Sequence, residues 1–354
     1  MAERELPKLN TRVRFPSPAP RFVLFRHQWA IAQPLMSAFS HLGFEIVENP
    51  SVRDLKRFQK NEILCAFNNI HLEIKKPHKA LYFKNRLNAL GAPVIFWDRD
   101  GPSHMGEKLW RMCLLRLLPF MDIYATHTLQ DAGGFCRDVL YLPNAAANGI
   151  YNLNGKTLAD LRDEKNYQYD VSFFGRLDAN RWGETRVRCA FFEKLQKALA
   201  EYGIALWAKN NDFSLNEQIE IIQTSKINLS ALAGCDFRYR KRSKEGKPIS
   251  DGLPERCYGV PNCGGFLLSD WRNHALDDFT PGEDFAFFTD FEDCVKQIRF
   301  FLNHFERTRE IAENAFQTVQ KRHLYEHRAQ KVAHFVYFWK QKKRFIPTPE
   351  LFPR

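Results

Sequence analysis

The sequence predicts an α/β protein built as two successive doubly wound domains. Three observations carry this expectation. Short buried-strand signals alternate with helical segments from residue 22 onward, and the alternation breaks once, in a polar stretch at 150–168. In addition, 354 residues exceed what one hydrophobic core usually organises. Composition fits a folded chain, with 44% hydrophobic residues, 31 Phe to fill cores and no low-complexity tract.

Residues 1–20 are Pro-rich and polar and read as a lead-in. Phe22-Val23-Leu24-Phe25 is the first strand, followed by Arg26-His27-Gln28-Trp29 and a helical pattern through Leu42, with Gly43 as C-cap. Phe44–Val47 is the second strand, which completes a β-α-β unit. Ile63–Phe67 is a third, a helix covers 77–90 up to Gly91, and Pro93–Trp97 is a fourth strand. Ile123–Thr126 and Val139–Leu142 follow as two more. The linker is placed at 150–168. Beyond it the cycle restarts with strand Tyr169–Phe174, a helix with Phe192, Leu195 and Leu199 on one face, and Gly203 as its cap. Strands at Ile204–Trp207, Ile227–Ser230 and Gly265–Ser269 come next, then helices at 291–305, 307–321 and 328–345. Ligands of such sheets bind outside the carboxyl ends of the strands.

Several classes are excluded or disfavoured. No apolar run approaches the roughly 20 residues that span a bilayer. The first residues include acids and have no apolar core segment, so export is not expected and a cytoplasmic location is. The eight cysteines are scattered without a C-x-x-C pair, which argues against zinc, redox and disulfide frameworks. The net charge of +11 favours an anionic partner, but no zinc-finger, RNP-like or long basic helical pattern supports nucleic acid. Walker, G-x-G-x-x-G and G-x-S-x-G motifs are absent.

Four groups can carry chemistry. Asp251-Gly252-Leu253-Pro254-Glu255-Arg256 opens a helix that stops at Cys263-Gly264-Gly265; Gly252 permits close approach, and a helix start suits phosphate. An ordinary capped helix with a surface Glu-Arg pair accounts for the same string. Arg176, after strand Tyr169–Phe174, and Lys209, just past strand Ile204–Trp207, would lie at one sheet edge and can pair with a diphosphate. Asp98, Asp100 and His104 follow the fourth strand, where a general base would be useful; the D-x-D alone does not make a metal site. His27, with Arg26 and Trp29, can line an acceptor site or a plain loop. Two basic stretches remain. One is the insertion 236–247. The other is the aromatic-basic tail Phe335–Phe345, which suits either packing or an acidic membrane surface.

The ordered strings in the second half resemble a known family. They are Asp170-Val171-Ser172-Phe173-Phe174-Gly175-Arg176 with Arg181, Ser225-Lys226-Ile227-Asn228-Leu229, and Arg256-Cys257-Tyr258 through Cys263-Gly264-Gly265-Phe266-Leu267-Leu268-Ser269-Asp270. Pro281-Gly282-Glu283 and His323-Leu324-Tyr325-Glu326-His327-Arg328 follow, and Leu142-Pro143-Asn144-Ala145 and Trp97-Asp98-Arg99-Asp100-Gly101-Pro102 precede them. Together they are similar to group-1-like glycosyltransferases of the spore-maturation-protein type. The family's Glu after the aromatic residue falls at Gly259 here, and Asp251 or Glu255 would have to compensate.

The resemblance implies a GT-B fold, two Rossmann-like domains facing across a cleft. They would cover 1–155 on the acceptor side and 165–327 on the nucleotide-sugar side, with helix 328–354 returning to the first. It implies sugar transfer from a nucleotide sugar to a hydroxyl of a glycan, lipid-linked saccharide or protein, in the service of polysaccharide synthesis, with no metal and no cofactor beyond the donor itself. Arg176, Lys209 and residues 251–256 would hold the donor, and Asp100, Asp98 or His27 would serve as base. An epimerase on the same fold and a non-catalytic sugar-nucleotide binder are the rivals.

Overall fold

The protein is described by a computed structural model over residues 19–26, 32–99, 109–129, 132–178, 183–232 and 252–342. The first sheet contains β1 (Phe22–Arg26), β2 (Glu45–Glu48), β3 (Ile63–Asn68), β4 (Val94–Asp98), β5 (Ile123–Thr126) and β6 (Asp138–Tyr141), in the order β2-β1-β3-β4-β5-β6. β1 runs parallel to both β2 and β3, and β3 parallel to β4. Parallel neighbours need crossovers, supplied here by α1 (Gln33–His41), α2 (Ile70–Glu73), α3 (Pro77–Ala89) and α4 (Leu109–Leu117). α1 and α3 stop where Gly43 and Gly91 take positive φ, as their sequence positions led one to expect.

The second sheet contains β7 (Tyr169–Phe174), β8 (Leu206–Lys209), β9 (Ser225–Ser230), β10 (Leu267–Asp270) and β11 (Ala286–Phe288), in the order β11-β10-β9-β7-β8. Its pairings are parallel. Helices α5 (Gly183–Ala200), α6 (Leu215–Gln223), α7 (Arg256–Asn262), α8 (Ala275–Asp278), α9 (Phe291–Asn303), α10 (Phe305–Arg322) and α11 (Tyr325–Lys342) complete the chain. The first strand of this sheet, β7, has its successor β8 on one side and β9 on the other. The order therefore reverses at β7 and β9, the point where open α/β sheets bind ligands.

By contacts the chain separates into two compact units. One comprises Met1–Phe96, Pro119–Ile123 and Ala329–Arg354, the other Trp97–Leu118 and Tyr124–Arg328. The first unit has a core of Leu24, Leu55, Ile63, Phe83, Leu87 and Val94. Two buried polar ties reinforce it. Lys84 pairs with Asp122 at 2.8 Å while Asp122 accepts from the Val94 N–H. Lys340 donates to the Ile63 carbonyl at 2.7 Å, and burial pulls its ammonium down to about 8. The second unit has one core on the α5 and α9 face of its sheet, around Val171, Leu195, Leu229 and Ile298, and another around α7, with Leu253, Tyr258, Ile222 and Phe279. Gly264 (φ +74) and Gly265 end α7. Added Cβ atoms there would lie 2.5 Å from Leu161 and from Ile222, so the Gly-Gly pair is demanded by packing.

Candidate functional site

Parallel pairing sets Phe174 of β7 opposite Lys209 of β8, and the Gly175 N–H donates to the Lys209 carbonyl. Arg176 and Lys209 therefore leave neighbouring strands at one edge, and both are exposed. Lys209 is the last residue of its strand rather than the one past it. Ile204, expected to begin that strand, instead closes the cap of α5 by donating its N–H to the Leu199 carbonyl, which delays the strand by two residues.

A third cation reaches the same edge from α7. The Arg256 guanidinium lies 4.4 Å from the Phe174 ring centroid and 5.1 Å from that of Phe173, and its Nη2 donates to the Phe174 carbonyl. Its Nη1 is buried and has no hydrogen-bond partner among the described residues. Burial pulls the Arg256 pKa down to about 10; Arg188 acts in the same direction, against Tyr151 and Cys257. Arg188 itself donates from Nη1 to the Arg176 carbonyl and from Nη2 to the Leu232 carbonyl, tying the loop after β7 to the loop after β9. Leu232 has φ +52, a conformation that costs a β-carbon residue about 1 kcal/mol or more. Its N–H is held by Asp270 at the end of β10. Positive charge and a strained backbone thus collect at the point where the strand order reverses.

The segment before α7 is built for close contact. The helix begins at Arg256, with Glu255 as cap. Pro254 precedes it, because its carbonyl accepts the Cys257 N–H in a tighter turn. Leu253 is buried and its carbonyl accepts from Asn144. A Cβ on Gly252 would lie 1.9 Å from Cδ2 of the buried His127, so only glycine fits there. Glu255 faces the other way. It pairs with Arg99 at 2.9 Å and accepts from the Tyr325 phenol at 3.4 Å. Tyr151 packs over Gly259, whose added Cβ would meet the ring at 3.0 Å, and the Tyr151 phenol donates to Gln218.

Behind this segment lies a buried polar network. Arg99 donates to Asn144 Oδ1 at 2.7 Å, and Arg328 donates to the Pro143 and Asn144 carbonyls. His323 is locked in one neutral form, with Nε2 donating to the Asp278 carbonyl at 2.7 Å and Nδ1 accepting from Arg328 at 3.0 Å. Asp278 also accepts from the Tyr141 and Tyr258 phenols. Burial first, then the Arg328 charge, pulls the His323 pKa down to about 4. A proton that the unfolded chain takes up near pH 6.5 is thus refused by the folded one until about pH 4. This share of stability is full above pH 6.5 and is lost as pH falls toward 4, at up to about 1.4 kcal/mol per pH unit. Urea unfolding at pH 7.5 and pH 5 should show wild type losing about 2 kcal/mol more than His323→Gln. Equal losses would show that His323 is not the group that resists protonation.

The remaining sequence candidates divide. Asp98 ends β4, is buried, and accepts from the Tyr124 phenol at 2.6 Å. Asp100, His104, His27, Asp251, Arg181, the insertion 236–247 and tail residues 343–345 lie outside the described residues. Sequence reasoning missed His127, whose only signal is its place as the first residue past β5. It also assigned Arg328 and His323 to the motif without seeing that they support Asn144. Among the described residues no cluster of His, Cys, Asp or Glu could hold a metal ion, and no helix is long and apolar enough to cross a membrane.

Comparisons with known proteins bear on the fold and the family. A family model described as glycosyl transferase-like matches residues 158–334, half of the chain. No curated protein matches by sequence. Among solved structures, the UDP-forming α,α-trehalose-phosphate synthase of Burkholderia vietnamiensis is similar with TM-score 0.58 and 12% identity, over 92% of this chain and 99% of that one. Sucrose-phosphate synthase of Thermosynechococcus elongatus gives 0.57 and 10%, over 92% and 99%. HepE of Anabaena, solved with UDP and glucose, gives 0.54 and 13%, over 89% and 98%. At these identities the likeness speaks for the fold, two parallel-sheet α/β domains of the GT-B type. The family model speaks for the chemistry: the chain belongs to the glycosyl transferase-like family and is a glycosyltransferase.

Proposed function

We propose that the diphosphate of a nucleotide-sugar donor is held at the carboxyl edge of the second sheet by Arg256, Arg176 and Lys209, and that its sugar passes to an acceptor hydroxyl. The observation that carries this reading is the buried Nη1 of Arg256, unpaired among the described residues, at the strand-order reversal, with Arg188 beside it. A buried guanidinium nitrogen without a partner costs free energy that an anion would return. When the bond from the anomeric carbon to the diphosphate oxygen breaks, negative charge grows on the leaving group. Cations already in place stabilise it without reorganisation.

The neighbouring segment positions the donor. Gly252 brings its backbone against His127, and the His127 ring is a further candidate to line the sugar site. Glu255 is held by Arg99 and Tyr325, which suits it to fixing the helix start rather than to contacting the donor. An inverting reaction needs a base. Asp98 is buried and already accepts a hydrogen bond from the Tyr124 phenol, so Asp100 is the preferred base, with His27 next. No metal or cofactor is invoked.

The spore-maturation-type branch is the subtype we favour. In support, its motif residues Asn144, Arg256, Gly264, Gly265, His323, Tyr325 and Arg328 all have specific structural duties here. The basic end of α11, with exposed Phe338 and Lys342, is proposed to touch an acidic membrane where a lipid-linked acceptor would lie.

HepE binds UDP in its solved structure, so UDP and UDP-glucose are the first probes in a thermal-shift panel of nucleoside diphosphates and their sugars. For whichever diphosphate binds, Arg176→Ala and Lys209→Ala should each weaken binding by about tenfold, the lower range for charged hydrogen bonds. Unchanged affinity in both variants would remove the diphosphate from this edge.

A further inference from the structure

We propose that the outward face of α3, with the residues leading into it, is a docking surface for an anionic membrane. The proposal is independent of the donor reading. Residues 70–90 contain five Lys and Arg but a single acid, Glu73. That acid is used internally: it is buried against Arg26 at 3.0 Å, and Lys84 is likewise buried against Asp122. The other four cations, Lys75, Lys76, Lys79 and Arg86, are exposed. None of the four has a side-chain ion pair or hydrogen bond among the described residues.

Helical spacing aligns part of this charge. Lys79, Tyr82 and Arg86 stand at i, i+3 and i+7 and form an exposed stripe about 100° around the helix from the buried Ala80, Phe83 and Leu87. The charge is also at the wrong end of the helix. Lys76 is the N-cap, Lys79 lies in the first turn, and no acid occupies that turn, so three cations crowd the positive end of the dipole. Folding gains nothing from that placement. An external anion does: it meets the lysines and the helix dipole together.

Two apolar side chains identify the kind of anion. Leu72 is 39% exposed and Tyr82 is 58% exposed, both set among the cations. Aromatic and aliphatic groups interleaved with exposed Lys and Arg along α2, the residues that join it to α3, and α3 itself match the headgroup layer of a bilayer, where the ring enters the interface and the cations meet lipid phosphates. A single-stranded nucleic acid would instead call for a groove with stacked rings.

Vesicle flotation tests this with the full chain. Wild type should bind phosphatidylglycerol-rich vesicles at low salt, release at high salt, and bind pure phosphatidylcholine weakly. Lys75→Gln, Lys76→Gln and Lys79→Gln combined should weaken binding about 100-fold, at roughly fivefold per cation. Tyr82→Ser should lower binding at every salt concentration. Thermal melts report whether the fold survives; should the triple variant melt early, Lys75→Gln alone, outside the helix, should still show the fivefold loss. A tail variant, Lys342→Gln with Lys343→Gln and Arg344→Gln, should lose less than the α3 variant. The proposal is overturned by wild type that ignores anionic vesicles, by an α3 variant that binds like wild type, or by an oligonucleotide that displaces the vesicles through the same lysines.

Discussion

Replacing Arg256 with Met should raise the dissociation constant for the donor diphosphate by roughly 10- to 150-fold, the range for a lost charged hydrogen bond of about 1.5–3 kcal/mol. Turnover should fall by about 10²-fold, because the interaction strengthens as the leaving group gains charge. The melting temperature should hold within a few degrees. Burial penalises the guanidinium and lowers its pKa, and one of its nitrogens has no partner among the described residues; the hydrogen bond to Phe174 offsets part of this cost. Met keeps the contact with Phe173 and Phe174 while removing the desolvated charge. Calorimetric titration with the diphosphate, alongside a melt, separates the two roles. A purely structural Arg256 would give the reverse pattern, with a clear drop in stability and unchanged affinity, and that result would end the assignment. Lys at 256 should recover only part of the affinity, since a single ammonium cannot both hold Phe174 and reach an anion.

Much of the fold was legible because local rules and tertiary structure agree in it. Val171 to Phe174 is a short run that the core buries, and Gly43, Gly91 and Gly203 take the positive φ that ends their helices. Where the reading slipped, a local feature had been overlooked. Helix α6 announces itself by the Ser214-to-Glu217 capping box, and β8 starts late because Ile204 belongs to a helix cap. The site was legible in outline only. Arg176 and Lys209 could be picked out because one follows the end of β7 and the other ends β8. Neither the orphaned nitrogen of Arg256 nor the ring of His127 against Gly252 could be, since each arises from side chains far apart in sequence. Asn144 is the clearest case. It looks like one polar residue in a linker, yet it accepts from Arg99 and Arg328 and donates to Leu253.

That convergence makes Arg328 the residue whose loss should cost the most stability. It is buried, and its guanidinium donates to the Pro143, Asn144 and Arg322 carbonyls and to His323 Nδ1. Arg328→Met leaves several buried acceptors facing an apolar side chain, and removal of one partner from such a network costs about 3–5 kcal/mol. At about 2–4 °C per kcal/mol for domains of this size, melting should fall by roughly 10 °C. Lys should rescue little, because one ammonium cannot span carbonyls and an imidazole that the planar fork reaches together. The damage should also reach the donor. Without Arg328, Asn144 loses one of the groups that fix it, and Asn144 is what holds the Leu253 carbonyl just before Arg256. Donor binding should therefore weaken together with stability, whereas at Arg256 the two effects separate. A protein with Arg328→Met that melts within a degree or two of wild type would show that the network is incidental and that residues 252–256 are fixed by some other support.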